Sequence, residues 1–405
     1  MNINPVILSI PIYFLLILIE LAVQGATKRK LYRLPDALSN ISCGIVQQLS
    51  GFFLKILSIS TYYFVYENWR LLQFENEWYH WVLLFLGADF LYYWAHRKSH
   101  EINLFWGGHV VHHQSEDYNF SVALRQSSFQ VVWTFFFYLP LALIGFDPLN
   151  FILVNALVTV YQFWIHTETI GKLGWLELVL NTPSHHRVHH GKNPKYIDKN
   201  HAGVLIIWDK IFGTFQREEE TPTYGITQPL NSWNPVWANF EHYAKMGKDL
   251  KEIKGLKNKL KFVFAAPGWR PADLGGRLVV PEVNRNNYIK YETKVSKPLS
   301  VYLIIQYLGI LGLTAFFLFN SSQYDNIQKS ITIFLLFWSV CNVGGLSESK
   351  SWSIWSENSR WIVLIAIFVY PINLEAYFIP LVLSKFTFVW ALASLVGLFF
   401  IKMKS

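Results

Sequence analysis

The sequence predicts an all-α integral membrane protein: a multi-span helical bundle with a histidine-rich, metal-binding helical cap on its cytosolic side. Three observations lead to this fold class. Of the 405 residues, 52% are hydrophobic and only 15% are charged, whereas soluble domains carry about 25% charged residues. Long apolar runs recur with lengths near the roughly 20 residues that cross a bilayer as helix. Ten of the 13 histidines lie at four places along the sequence, 96–100, 109–113, 166 and 185–190.

Nine apolar segments are candidate membrane spans. The first is followed by Lys28, Arg29 and Lys30 but preceded by no basic residue, which predicts an uncleaved signal anchor. Polar residues or prolines interrupt the second and eighth segments, so a re-entrant or interfacial course stays open for both. The segments are 5–24, 41–65, 79–95, 128–146, 148–166, 300–319, 330–347, 361–383 and 386–401.

Basic residues between the segments predict their orientation, because Lys and Arg concentrate in cytosolic loops. The run from Lys28 to Arg33 belongs on the cytosolic side, and the loop from Glu67 to Glu77, with three glutamates, fits the opposite side. Residues 167–297 then form a long cytosolic stretch. The net charge of +8 therefore indicates topology and contact with anionic lipid rather than nucleic-acid binding.

The polar stretch 272–298 predicts a linker between a catalytic unit, 1–271, and a C-terminal membrane-spanning unit, 299–405. Residues 237–261 form a basic amphipathic stretch that either lies on the membrane surface or packs on the cytosolic domain. Cys43 and Cys341 are far apart, which argues against a disulfide scaffold and a cysteine zinc site.

The histidine spacings predict a metal centre. His96 and His100 are separated by four residues, and two further motifs place histidines at i, i+3 and i+4, so each group shares one helix face. Gly107 and Gly108 suggest a turn between the first two groups. Eight such imidazoles, with His166 as a ninth, exceed the coordination of one ion and predict two metals. The nine are His96, His100, His109, His112, His113, His166, His186, His189 and His190.

Other polar residues near these motifs leave alternatives open. His185 points about 100° away from His186 on a helix, and either binds metal or faces the substrate or a ligand imidazole; His201 is equally open. Asp89 shares a helix face with His96, and serves either the metal centre or a structural hydrogen bond. Acidic residues that could orient the ligand imidazoles are Glu101, Glu116, Asp117, Glu168 and Asp198.

These histidine motifs resemble those of the fatty acid hydroxylase/sterol desaturase superfamily, which are HX3H, HX2HH and HX2HH. Within it, the runs Tyr92–Ser127 and Trp164–Phe215 resemble the alkylglycerol monooxygenase family most closely. The resemblance is clear over about 80–220. Carried over residue by residue, it implies that the eight motif histidines are ligands, and it marks Glu101 as a candidate catalytic residue.

The resemblance also implies a reaction. Members hydroxylate the carbon next to the ether oxygen of alkylglycerols, using O2, two iron ions and tetrahydrobiopterin, and release a fatty aldehyde. A sterol or fatty acyl hydroxylase or desaturase with a protein electron donor is the alternative, and a metal transporter a distant one. The membrane is the endoplasmic reticulum or a bacterial inner membrane. Aromatic residues that line a lipid path, or merely pack, are Trp94, Phe105, Trp106, Tyr161 and Phe163.

Overall fold

The computed structural model describes residues 8–74, 77–369, 389–395 and 397–398, and this part of the chain is helical. Its β-structure consists of isolated bridges, Leu180 with Leu205 and Gly191 with Tyr224, so the predicted all-α class is confirmed. The helices of the N-terminal half are α1 Ile10–Thr27, α2 Leu34–Trp69, α3 Trp78–Glu101, α4 Asn103–His113, α5 Phe120–Ala123, α6 Gln130–Thr134, α7 Leu139–Ile144 and α8 Pro148–Tyr161.

The second half continues with shorter helices around the histidine motifs and longer ones towards the C-terminus. These are α9 Pro183–His189, α10 Ile207–Ile211, α11 Pro235–Glu252, α12 Leu256–Phe264, α13 Lys297–Asn320, α14 Asn326–Ser347 and α15 Ser351–Val369. Single 3-10 turns lie at Phe135–Tyr138, Gly174–Leu178, Pro194–Tyr196, Ala272–Leu274 and Ser321–Gln323.

Local sequence signals explain where several helices begin. The Asp147 carboxylate accepts hydrogen bonds from two backbone N–H groups of α8, and Pro148 occupies its first turn. Asp325 and Gln328 form a reciprocal capping box at the start of α14. At the start of α13, the Ser296 hydroxyl accepts a hydrogen bond from the backbone N–H of Leu299.

Three helices are long and apolar enough to cross a membrane: α1, α14 and Lys297–Gln323, which extends α13. A fourth candidate is α2, whose halves Leu34–Gly51 and Ile56–Trp69 meet at 51°. The described residues therefore support a membrane protein with three or four such spans by length and composition, and they do not support the predicted number of nine.

The other predicted spans have a different outcome. Those at 128–146 and 148–166 form shorter apolar helices, Gln130–Ile144 and Pro148–Tyr161. The segment 79–95 lies within α3, where tyrosines, tryptophans and one aspartate lower the mean hydropathy. Most of 361–383 and part of 386–401 lie outside the described residues.

The prediction that Gly107 and Gly108 separate two helices is wrong. The break lies at Ile102, and both glycines are buried inside α4. They are needed for close packing, since a Cβ at Gly107 would lie 2.6 Å from the ring of Tyr243 and one at Gly108 2.8 Å from the ring of Trp133.

The amphipathic stretch packs on α4 through one face. Gln114 donates to the carbonyl of Ala238 in α11, and Asn103 donates to that of Phe262 in α12. Another face stays exposed, with Leu256 and Leu260 among its apolar side chains. Packing on the catalytic region thus accounts for the inner face of these helices.

The chain divides into two compact units. One comprises Met1–Asn231 and Trp237–Tyr291, and contains all the histidine motifs; the other comprises Ser232–Val236 and Glu292–Ser405. Within the second unit, Glu357 and Arg360 form a buried ion pair that Tyr302 and Asn342 complete with hydrogen bonds to the carboxylate.

Candidate metal centre

Nine buried histidines converge in two groups. Each histidine offers one ring nitrogen, and within a group all these nitrogens lie within 4.8 Å of one another. The first cluster consists of His96, His100, His109, His113 and His189. The second cluster consists of His112, His166, His186 and His190. These are the eight motif histidines that the spacing singled out, together with His166, the expected ninth, which the family motifs leave out.

Each HX2HH motif serves both clusters. In α4, His109 and His113 point to the first cluster and His112 to the second; in the last motif, His186 and His190 point to the second and His189 to the first. The expectation that each motif aims all its histidines at one point is therefore wrong: residues four apart differ by only about 40° around a helix, whereas adjacent residues such as His112 and His113 differ by about 100°. The rings of His113 and His190 stack with centroids 4.4 Å apart, so the two clusters are adjacent.

Backbone carbonyls orient four of the imidazoles through Nδ1. The Nδ1–O distances are 2.7 Å from His96 to His201, 2.9 Å from His112 to Arg125, 2.7 Å from His166 to Gln162, and 2.9 Å from His189 to Lys199. A carbonyl only accepts, so Nδ1 carries the proton in each and the lone pair of Nε2 is left for a metal.

The loop that supplies two of these carbonyls is itself held by buried carboxylates. Asp209 accepts hydrogen bonds from the backbone N–H groups of His201 and Ala202, each at 2.8 Å. Asp89 accepts from the N–H groups of Val204 and Leu205 at 2.8 and 3.0 Å, and from the indole of Trp208. Asp89 therefore forms structural hydrogen bonds, which is one of the two roles predicted for it. It influences the histidine clusters through the loop that these bonds hold.

The donor set fits a metal centre. Nε2 of His100, His189 and His190 is buried and has no hydrogen-bond partner in the described part of the chain, although buried polar atoms are rarely left unpaired. Burial, and then the neighbouring imidazoles, hold the pKa values of His109, His113 and His189 well below their usual value. These rings are therefore neutral, which is the form that binds a metal ion.

The carboxylates expected to orient the ligands mostly do something else. Only Asp198 lies near a ligand, with 3.5 Å between its Oδ1 and Nδ1 of His100. Glu101 pairs with Arg97 at 2.7 Å and with Lys98 at 2.6 Å. The remaining three have other partners: Asp117 pairs with Arg33 and Lys290, Glu168 pairs with Arg285, and Glu116 accepts hydrogen bonds from Tyr288 and Tyr291. Sequence reasoning missed the carbonyls because every residue carries one.

Other histidines lie outside both clusters. His185 turns away from His186, as its position on α9 predicts, and its ring meets Phe215 edge-on at 5.4 Å. His201 is fully buried, neither of its ring nitrogens has a partner among the described residues, and its ring centroid lies 5.0 Å from that of His100. His242 hydrogen-bonds the carbonyl of Asn103.

Of the predicted aromatic residues, Trp106 contacts the metal centre, with its ring 4.9 Å from His100 and 5.5 Å from His113. The others pack elsewhere: Trp94 against Phe212, Phe105 against Trp133, Tyr161 against Trp164, and Phe163 against Tyr13.

A segment of the predicted linker covers the loop after the second histidine motif. The hydroxyl of Tyr288 and the backbone N–H of Tyr291 both donate to Glu116. The ammonium of Lys192 lies 3.5 Å from the centre of the Tyr288 ring. These contacts hold part of the predicted linker against the catalytic region. The sequence of that part shows only that it is polar and does not predict these contacts.

Comparison with known proteins agrees with this geometry. The family model described as fatty acid hydroxylase matches residues 81–214, which include all nine clustered histidines. The chain is similar to the alkylglycerol monooxygenase of Homo sapiens, with 39% identity over 88% of this chain and 81% of that protein. It is 36% identical to the alkylglycerol monooxygenase of Danio rerio over 88% of this chain and 80% of that protein. It is 40% identical to that of Xenopus tropicalis over 74% of this chain and 68% of that protein. No solved structure matches the chain significantly.

Proposed function

The chain belongs to the alkylglycerol monooxygenase family and is a lipid monooxygenase, and we propose that it hydroxylates the carbon next to the ether oxygen of an alkylglycerol. One oxygen atom of O2 enters that C–H bond, and the other leaves as water with two electrons and two protons from a reductant. The resulting hemiacetal collapses to a fatty aldehyde and glycerol. The convergence of nine buried imidazoles in two adjacent clusters carries this proposal.

We propose that the first cluster holds one iron ion through five imidazoles and the second cluster another through four. Imidazole suits iron, zinc and copper, and the monooxygenase family favours iron among them. When bound, the two irons supply the activation of O2 that an unactivated C–H bond requires. Protein residues supply the rest: carbonyls fix the tautomers of His96, His112, His166 and His189, and burial keeps water from the site.

Glu101 remains a candidate catalytic residue on the strength of the family motif. It follows His100 directly at the end of α3. Its carboxylate is 30% exposed and pairs with Arg97 and Lys98. Burial alone would raise the pKa of Glu101, but those two cations outweigh burial and lower it. Glu101 is therefore ionised at neutral pH and available as a hydrogen-bond acceptor.

The electrons come from tetrahydrobiopterin in this proposal, and a protein electron donor is the alternative. The residues that bind the pterin are not assigned. Trp106 is the residue we propose to face the alkyl chain, because it is the one predicted path residue in contact with both His100 and His113.

We further propose that the protein is a multi-pass membrane protein with up to nine spans and with its metal centre at the cytosolic face of the endoplasmic reticulum or a bacterial inner membrane. The division into a catalytic unit 1–271, a linker 272–298 and a C-terminal unit 299–405 is part of this proposal. Ion pairs of Arg285 and Lys290 with Glu168 and Asp117 indicate that part of the linker serves the catalytic unit.

Two other functions are less well supported than this one. A sterol or fatty acyl hydroxylase or desaturase would use the same metal centre, but the extended similarity to alkylglycerol monooxygenases favours an ether lipid. A metal transporter would need ligands along a path through its spans. Here the ligands converge at one place instead.

The decisive experiment is aerobic turnover of a labelled alkylglycerol by the purified, iron-loaded protein, with and without tetrahydrobiopterin. Fatty aldehyde that forms only with the pterin supports both the substrate and the reductant. No aldehyde from a protein that retains its iron overturns the ether-lipid assignment, and directs the search to sterols, fatty acyl groups and protein electron donors.

A further inference from the structure

A cavity of about 270 Å³ lies beside α9, on the side where His185 points away from the metal clusters. Ser184 and His185 form one wall, and Phe215 and the 3-10 turn Gly174–Leu178 contribute others. Pockets for whole drug-sized molecules measure roughly 300–1,000 Å³. This cavity therefore suits a compact polar group and leaves no room for a lipid chain.

The cavity carries uncompensated positive charge. Lys172, Lys210 and Arg217 line it together with Glu177 and Glu218. Glu218 is already neutralised by Arg187, which binds both of its oxygens at 2.8 and 2.7 Å.

The cations lack matching partners. Within the described residues, the side chains of Lys172 and Arg217 make no ion pair or hydrogen bond, while Lys210 donates only to the carbonyls of Glu177 and Leu178. Burial, and then the charge of Arg217, lower the pKa of Lys210. Lys210 and Arg217 are therefore close enough to repel each other, and the opposing charge of Glu177 offsets this only in part. An anion bound in the cavity would relieve the remaining repulsion.

His185 supplies an independent indication of a ligand. Its side chain is only 2% exposed, and its Nδ1 is buried with no hydrogen-bond partner in the part of the chain that the structure describes. Buried side-chain nitrogens almost always have a partner. A ligand in the cavity would provide it.

The surroundings of the cavity are apolar and exposed. Leu178, which lines the cavity, is 64% exposed. Trp175, next in the chain to the lining residue Gly174, is 77% exposed, and Ile211, next to the lining residue Lys210, is 64% exposed. Exposed apolar side chains at a polar pocket, and on the residues next in the chain to its lining, are consistent with a site that binds lipid or another apolar surface. A lipid could place its head group in the cavity and its chain against these residues.

We propose that this cavity binds the phosphate group of a membrane lipid. Lys172 and Arg217 pair with the phosphate oxygens, His185 hydrogen-bonds one of them, and Trp175, Leu178 and Ile211 contact the chain. The same phosphate chemistry could come from a soluble phosphate, but the apolar rim favours the lipid. Binding requires neither iron nor turnover, so this site can fail without affecting the monooxygenase assignment.

The test is calorimetric binding to the purified full-length protein in a neutral detergent, with dodecyl phosphate and inorganic phosphate as probes. We expect dodecyl phosphate to bind at least about tenfold more tightly than inorganic phosphate, because only the former reaches the apolar rim. The double variant K172A/R217A should weaken dodecyl phosphate binding by about tenfold or more, since each charged contact to phosphate is strong. Both cations are exposed, so the variant should fold and keep its wild-type iron content.

A charge-matched control is R277A/K294A, which removes one arginine and one lysine that do not line the cavity. It should bind dodecyl phosphate like the wild type. Wild-type affinity in K172A/R217A would overturn the site. Equal affinities of the wild type for the two probes would overturn the lipid assignment in favour of a soluble phosphate.

Discussion

Nδ1 of His96 lies 2.7 Å from the backbone carbonyl oxygen of His201, 105 residues further along the chain. This bond joins α3 to the loop after the last histidine motif, and the same loop orients His189 through the carbonyl of Lys199. Asp209 and Asp89 hold the loop through its N–H groups. The geometry of the first cluster thus depends on carboxylates that touch none of its imidazoles.

Substitution of Asp89 by Asn should therefore weaken the first cluster from a distance. Three donors would share one remaining acceptor, at a cost on the order of 3 kcal/mol for buried groups. We expect a lower thermal midpoint in detergent and a lower iron content, with the stronger loss in the first cluster. The matched control is Asp273→Asn on an exposed turn, which should change neither quantity. Wild-type iron content in Asp89→Asn would show that the loop does not position the ligands.

Close packing at Gly107 gives a second prediction. Alanine there should destabilise the protein by about 1–3 kcal/mol, because the new methyl group overlaps the ring of Tyr243. Gly247 in α11 is the control, since a Cβ there meets nothing within 4 Å. Gly247→Ala should stabilise the protein by about 0.5–1 kcal/mol through helix propensity alone. Thermal unfolding of both variants compares them, and equal effects would refute the packing argument.

These two cases show what sequence reasoning could and could not find. The i, i+3 and i+4 spacing of His109, His112 and His113 follows from helix geometry, so the convergence of the motif histidines was predictable, and composition predicted the all-α class. The helix break was misplaced because Gly107 has a role in tertiary packing that no local pattern reveals. The orienting carbonyls of Lys199 and His201 were missed because backbone groups carry no sequence signal and their partners come from distant segments.

The number of membrane spans could not be determined from hydropathy for a related reason. Apolar residues at 128–146 could form one continuous span, yet the structure divides them among α6, a 3-10 turn and α7. Their apolar character serves packing as well: Leu141 and Ala142 are buried against Leu84 and Ala88 of α3. Hydropathy cannot separate a residue that faces lipid from one that faces a neighbouring helix.

The division of ligands between clusters predicts separable losses of iron. His109→Ala should empty the first cluster, and His186→Ala the second, so each variant should retain about half of the wild-type iron. Both should lose turnover while remaining in the membrane. His80→Ala, which removes a histidine outside both clusters, should keep full iron and activity. Full turnover in His109→Ala would eliminate the di-iron proposal.

Metal removal should destabilise the protein, because ions that bind only the folded state add to its stability. At a free-metal concentration of 100 times Kd, each site contributes about 2.7 kcal/mol. A chelator titration should therefore lower the thermal midpoint progressively, and iron should restore it. The same titration of a variant lacking both His109 and His186 should be flat. A midpoint independent of free iron in the wild type would mean that the clusters do not bind it.

Glu101 separates the catalytic interpretation from a structural one. Its pairs with Arg97 and Lys98 are partly exposed, and such pairs contribute only about 0–1 kcal/mol. Glu101→Gln should therefore leave the thermal midpoint and iron content nearly unchanged. If the carboxylate acts in proton transfer or holds a reactant, turnover should still fall by about a hundredfold. Glu67→Gln, which breaks the comparable surface pair with Arg70, should leave turnover intact. Near-wild-type turnover in Glu101→Gln, with iron retained, would reduce this residue to a surface ion pair and leave the chemistry to the histidine clusters and the reductant.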